Sequence, residues 1–281
     1  MGILRLYLSK IKNKIAACYS KLLWLVFRKK YKQLIVCGYP RSGTSLIYNM
    51  LSTSLEGFKF NKFEILSIYR IHRLGNIATK SPMDIFNINN LLDINIHKKE
   101  LIVIIMIRDI RDIITSKHPL FPDEYFIGYD HSWWPQDANF NEWDYDGEGI
   151  KAIYDEINRL SGETNVKIIR YENLIAKPDE IQEELRKEFG LCFSAKFSDF
   201  YKNQDRIAYS YKDKTAPKNA NLVRENKKVD QTRKGKWKQK EHRQRIWEQF
   251  NRFPEMMNIL ISYGYEENEN WYVNEYHSSS R

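Results

Sequence analysis

Leu34-Ile-Val-Cys-Gly-Tyr-Pro-Arg-Ser-Gly-Thr-Ser-Leu46 carries the reading that decides the fold. Leu34 to Gly38 is a short apolar run with β-branched residues that ends in glycine, the pattern of a buried strand. A glycine-bounded turn follows and feeds a helix from about Gly43 through Leu55, with Leu46, Ile47, Met50, Leu51 and Leu55 at helical spacing. Such an arrangement points backbone N–H groups and the positive helix end at an anion. Gly38 and Gly43 have the separation of a Walker A loop, but Thr44 and Ser45 stand where that loop needs Lys followed by Ser or Thr. Without the Lys, a magnesium-assisted clamp on β- and γ-phosphates loses its main cation, which argues against a nucleotide-dependent kinase. Arg41, inside the turn, offers a cation suited to a phosphosulfate or phosphate ester.

Working outward, Leu101 to Ile107 is seven apolar residues in a row and reads as a parallel strand buried on both faces. A third strand is expected at Val166–Arg170. Pro178 to Phe189 follows as a helix, with proline near its start and Gly190 just past its end. The last helix is expected from about Lys240 to Tyr263. Strands alternating with helices imply a parallel sheet covered on both faces, with ligands at the carboxyl ends of the strands. Between Pro119 and Gly149 the pattern breaks into Pro, Gly, Asp, Asn and aromatics, among them Tyr125, Phe126, Tyr129, Trp133, Trp134, Trp143 and Tyr145. So long a loop points to function, and aromatic faces stack on sugar rings, so the segment is a candidate acceptor-binding lid; a purely structural cap is the alternative.

The chain has 281 residues, 42% of them hydrophobic, enough for a full core. Its formal charge of +9 is unevenly placed. No acid precedes Glu56, and residues 1–32 hold nine bases, so residues 33–281 are formally neutral. A nucleic-acid partner is disfavoured, because basic charge is not spread over the body. Residues 1–32 read as a basic amphipathic segment ahead of a single domain at 33–281. Its longest apolar run, Leu22 to Phe27, is far short of the ~20 residues that span a bilayer. With Trp24 and Phe27 among its bases, it suits peripheral contact with an anionic membrane; packing on the domain is the alternative. Cys18, Cys37 and Cys192 lie far apart, and six histidines show no metalloprotease pair, so neither a disulfide framework nor a metal is expected. A cytoplasmic enzyme, membrane-associated at most on the cytoplasmic face, fits these features.

Gly38-Tyr-Pro-Arg-Ser-Gly-Thr-Ser-Leu46 resembles the 5′-phosphosulfate loop of sulfotransferases that use 3′-phosphoadenosine 5′-phosphosulfate (PAPS), closer to carbohydrate, Golgi-type and bacterial members than to cytosolic ones. Three further stretches extend the resemblance. Arg108-Asp-Ile-Arg-Asp-Ile-Ile-Thr-Ser116 is similar to the 3′-phosphate motif, which implies that Arg108 and Ser116 hold the ribose phosphate. Arg170-Tyr-Glu-Asn-Leu174 is similar to the stretch whose tyrosine meets the adenine, giving Tyr171 that role. Thr232-Arg-Lys-Gly-Lys-Trp237 is similar to the late loop closing on the 3′-phosphate, which brings in Arg233, Lys234 and Gly235, although the gap between Gly235 and Trp237 is shorter than in cytosolic members. The resemblance implies an α/β, P-loop-like three-layer αβα fold with a central parallel sheet, PAPS as donor and no metal.

It also implies sulfuryl transfer to an acceptor hydroxyl, on a small molecule or on a carbohydrate or lipid-linked glycan. Arg41, Ser42, Gly43, Thr44 and Ser45 then hold the 5′ end, with Arg41 stabilising the leaving group. Thr79-Lys-Ser-Pro-Met83 looks like the Lys-Ser/Thr-Pro element of Golgi-type members, so Lys80 bridges the transferring group. Pro82 lies where cytosolic members carry a basic histidine, and members lacking it use a glutamate about two dozen residues past the loop cation, which points to Glu64 as general base. His72, His118 and His131 are the reserve candidates. A non-catalytic module that holds PAPS or its product is the alternative from another class.

Overall fold

The computed structural model describes residues 30–118, 121–135, 142–207 and 230–272, together with Ile15, Cys18, Tyr19 and Leu22. The basic segment read at 1–32 therefore lies almost wholly outside the described residues. In chain order the main elements are β1 (Lys32–Gly38), α1 (Thr44–Ser54), β2 (Lys59–Phe60), β3 (Ile77–Lys80), α2 (Ile88–Ile94), β4 (Glu100–Ile107), α3 (Ile110–Ile114), β5 (Lys117–His118) and β6 (Phe121–Tyr125). They continue with β7 (His131–Pro135), β8 (Trp143–Glu148), α4 (Ile150–Leu160), β9 (Val166–Arg170), α5 (Tyr171–Ala176), α6 (Pro178–Phe189), α7 (Arg243–Arg252) and α8 (Met256–Ser262).

The central sheet has five strands in the order β2-β3-β1-β4-β9, and every pairing in it is parallel. The strand period of two divides its core. Ile35 and Cys37 of β1 and Val103, Ile105 and Ile107 of β4 face one layer, with α2, α3, α4, α7 and α8. Leu34, Val36, Ile102, Ile104 and Met106 face the other, built by α1, α5 and α6. Because both faces are covered, these strands carry no polar alternation, and each buried Ile, Leu or Val contributes about 1.5–3 kcal/mol. The layers are those of the expected αβα fold.

Two expectations change. Residues 119–149 are not one irregular loop: β5 pairs with β6 and β7 with β8 in two small antiparallel sheets, residues 119–120 and 136–141 lying outside the described residues. In sequence, Trp143-Asp-Tyr-Asp alternates aromatic and acidic residues with the period of a strand. Ile127 and Tyr129 belong to the core, so part of the segment is structural. The helix expected from Lys240 to Tyr263 is broken between α7 and α8, where Pro254 lacks the N–H and restricts Phe253 before it. Among the described residues no helix is long and apolar enough to cross a membrane.

Candidate active site

The turn after β1 is built by backbone geometry that few residues accept. Gly38 and Gly43 have φ of +117° and +96°, and Arg41 itself takes φ 66°. A Cβ on Gly38 would lie 2.3 Å from the Met106 carbonyl oxygen of the neighbouring strand, and one on Gly43 would lie 2.6 Å from the Tyr171 ring. Ser42 is fully buried and donates its hydroxyl to the Tyr39 carbonyl at 2.6 Å, so it fastens the turn. Thr44 is buried and Ser45 half-buried at the first turn of α1.

At the carboxyl end of β4, Arg108 gathers the site. Its guanidinium donates to the Arg41 carbonyl at 3.2 Å, to the Arg233 carbonyl and to Asp112 Oδ2 at 3.0 Å, and it lies 4.6 Å from the Tyr171 ring centroid. Arg41 donates Nε to Ser116 Oγ at 2.9 Å. Four stretches far apart in sequence thus meet at the ends of β1, β4 and β9. Arg41 keeps solvent contact, yet protein atoms crowd its head group, and that crowding with the like charges of Arg108 and Arg233 lowers it to about 10. Lys234 is exposed, and Gly235 turns the chain at φ 70°.

Arg108 does pair with Asp112, the arrangement that on a surface would be an ordinary i, i+4 ion pair. Here the side chains are only 11% and 1% exposed. Asp112 also accepts the backbone N–H of Gly235 at 2.8 Å and of Trp237 at 3.0 Å. It therefore fixes the late basic loop onto Arg108, a role the sequence signalled only by the spacing of Arg108 and Asp112. Arg111 supports the same junction. It bonds Asp109 and Glu266, and its guanidinium lies 4.0 and 4.5 Å from the rings of Trp237 and Trp271.

The second half of the site stands at the end of β3. Lys80 donates Nζ to Glu64 Oε2, with the lysine side chain 4% and the glutamate 33% exposed. Glu64 lies on an irregular stretch tied to β3 by the N–H of Asn61 on the Ala78 carbonyl and that of Ile65 on the Lys80 carbonyl. His118 connects the halves: burial, then the charges of Arg41 and Lys80, lower it to about 4, leaving a neutral imidazole stacked on Phe126. His72 instead sits near Arg70 and Arg73, and His131 pairs with Asp130.

Asp84 braces this region from below. It is fully buried and accepts the Ser67 N–H at 2.9 Å and the Ser67 hydroxyl at 2.8 Å. Burial, offset in part by those bonds and aided by Glu64, raises its carboxyl to about 7. In the folded chain Asp84 holds a proton that the unfolded chain has already released near pH 4, so its contribution to stability falls as pH rises from about 4 to about 7. Asp84→Asn is expected to remove that slope, worth up to about 4 kcal/mol. Urea unfolding at about pH 5 and about pH 8 checks it, and the same pH dependence in variant and parent would contradict it.

A family model described as the sulfotransferase domain matches residues 31–258. No curated protein matches the chain. Among solved structures, the sulfotransferase domain from the Synechococcus PCC 7002 olefin synthase is similar at 15% identity, over 74% of this chain and 87% of that one, with a TM-score of 0.43.

Proposed function

The chain belongs to the sulfotransferase domain family and is a PAPS-dependent sulfotransferase; on that premise we propose that it sulfates a hydroxyl of a carbohydrate or lipid-linked glycan, with Arg41, Lys80 and Glu64 at the transfer centre. The observation that carries this reading is the Lys80–Glu64 pair, standing at a strand end beside the Arg41, Arg108 and Arg233 cluster. The residues fit the donor. Arg108 Nε is buried without a hydrogen-bond partner among the described residues, and the three arginines crowd one another, as groups waiting for a polyanion do. Bound PAPS supplies the sulfuryl group and leaves as 3′-phosphoadenosine 5′-phosphate.

Arg108 and Ser116 hold the 3′-phosphate, and Arg233, Lys234 and Gly235 cover it. Tyr171 carries the adenine, while Ser42, Gly43, Thr44 and Ser45 line the 5′ end. Arg41 keeps its charge and stabilises the leaving oxygen. Glu64 takes the acceptor's hydroxyl proton, and Lys80 both orients Glu64 and offers positive charge to the transferring oxygens. Trp133 and Trp134 on β7 and Tyr145 on β8 supply the aromatic faces for a sugar ring.

The decisive experiment is a thermal-shift titration with 3′-phosphoadenosine 5′-phosphate beside ATP and magnesium. At about 100 times its dissociation constant the bisphosphate is expected to stabilise the fold by roughly 2.7 kcal/mol. A shift with ATP and none with the bisphosphate would refute the donor sites. Peripheral attachment at the cytoplasmic face rests on the nine bases of residues 1–32 and on Ile15, Tyr19 and Leu22, which are 64%, 54% and 58% exposed. Co-sedimentation with anionic liposomes is expected to be lost when 1–32 is deleted, and unchanged binding would rule the attachment out.

A further inference from the structure

At the β2 edge of the sheet lies a cavity of about 150 Å³ that the transfer chemistry does not use. Lys59, Arg70 and Arg73 line it, together with Phe60, Asn61 and Ile77. Three cations converge there, and no carboxylate pairs with any of them among the described residues. Arg70 is half-buried, gives Nε to Asn61 Oδ1 at 2.9 Å and Nη1 to the Tyr69 carbonyl at 3.0 Å, and keeps its other terminal nitrogen for a further acceptor. The Arg73 N–H bonds the Arg70 carbonyl at 3.0 Å, so one tight turn brings both guanidinium groups to the cavity. Loss of solvent and the charge of Arg73 lower Arg70, the sign of a positive region without its counter-charge.

The cavity is coupled to the transfer centre by the chain itself. Lys59 and Phe60 pair with Ile77 and Ala78 of β3, and Lys80 ends that strand three residues after Ile77, a backbone rise of about 10 Å. Asn61, held by Arg70, stands three residues before Glu64. We infer that this cavity is an anion subsite for the acceptor, taking a carboxylate, phosphate or sulfate carried by an extended acceptor whose reacting hydroxyl lies at Glu64 and Lys80. The inference rests on the reading of that pair as the transfer centre. Planar guanidinium groups bind such anions through paired hydrogen bonds, and Phe60 and Ile77 offer an apolar floor to the residue that carries the charge.

The test uses the full chain and calorimetric titration with two probes of equal length. One is a hexasaccharide of alternating glucuronic acid and N-acetylglucosamine; the other is its carboxyl-reduced, neutral counterpart. Each is titrated with and without saturating 3′-phosphoadenosine 5′-phosphate, whose own binding is measured first, so that the donor assignment and the subsite fail separately. The acidic probe is expected to bind at least about tenfold tighter than the neutral one, as a charge-assisted pair would give. The exposed pair Lys59→Gln/Arg73→Gln should remove that advantage while the bisphosphate affinity and melting temperature stay as in the parent. Equal binding of the two probes, or an advantage that survives the double variant, would overturn the proposal. So would inorganic sulfate that displaces the hexasaccharide at equal concentration, which would mark a loose-ion site.

Discussion

Lys80→Met should lower kcat by about 10³-fold, the effect of removing one preorganised charge from a dry site. The Lys80 side chain is only 4% exposed at the end of β3, where water screens its charge little. Met keeps the unbranched shape, so packing survives. Glu64, 33% exposed, recovers water when its partner goes, which limits the damage to stability. Bisphosphate affinity should be unchanged, because the residues assigned to it lie in the segments that follow β1, β4 and β9 and in the late loop. Glu64→Gln should cost about 10²-fold in turnover, as loss of a general base does. Parent-like turnover in Lys80→Met would end the assignment; parent-like turnover in Glu64→Gln would move the base to His118, whose neutral imidazole stands between Arg41 and Lys80.

Arg108→Ala should weaken both the fold and donor binding. The Arg108–Asp112 pair is buried, and removing one partner strands a charge at a cost of about 3–5 kcal/mol. The same substitution releases the Arg41 and Arg233 carbonyls and removes the cation assigned to the 3′-phosphate. Bisphosphate affinity should fall by about 10²-fold or more, the range for losing a charge-assisted contact. The double variant Arg108→Ala/Asp112→Asn, whose amide oxygen still accepts a backbone N–H of the late loop, separates the two effects. It should regain part of the stability, because no lone carboxylate is left, and none of the affinity. Recovery of both, read by urea unfolding and calorimetry, would mean that Arg108 serves the fold alone.

How much of this was legible follows from where the information sits along the chain. β1 and β4 were readable because burial on both faces leaves continuous apolar runs, β9 from Val166, Ile168 and Ile169 although it is a mostly half-buried edge strand, and the turn at 38–46 because its glycines and helix are adjacent. β3 is four residues long, Ile77-Ala-Thr-Lys80, and includes two polar positions, so no window sees it. Glu64 and Lys80 came only from resemblance; that they meet depends on an irregular stretch whose path is set by Asn61, Ile65 and Asp84, residues with no local signature. Asp112 was visible merely as a neighbour for Arg108, since its bonds to Gly235 and Trp237 cross more than a hundred residues. The cations at 59, 70 and 73 looked like scattered surface charge until β2 and one tight turn brought them to a single cavity.

The two glycines of the turn encode different things. Gly38 is a ruler between strands, because a side chain there would strike the Met106 carbonyl of β4. Gly43 is a seat for an aromatic ring arriving from β9. The motif is therefore not a portable module. Grafted onto another α/β sheet, residues 38–46 would keep their letters and lose their shape unless the host also supplied a strand at the right spacing and a tyrosine over the second glycine. Divergent chains that retain this turn should retain its two distant neighbours as one inherited unit, and a protein engineer would have to move all three together.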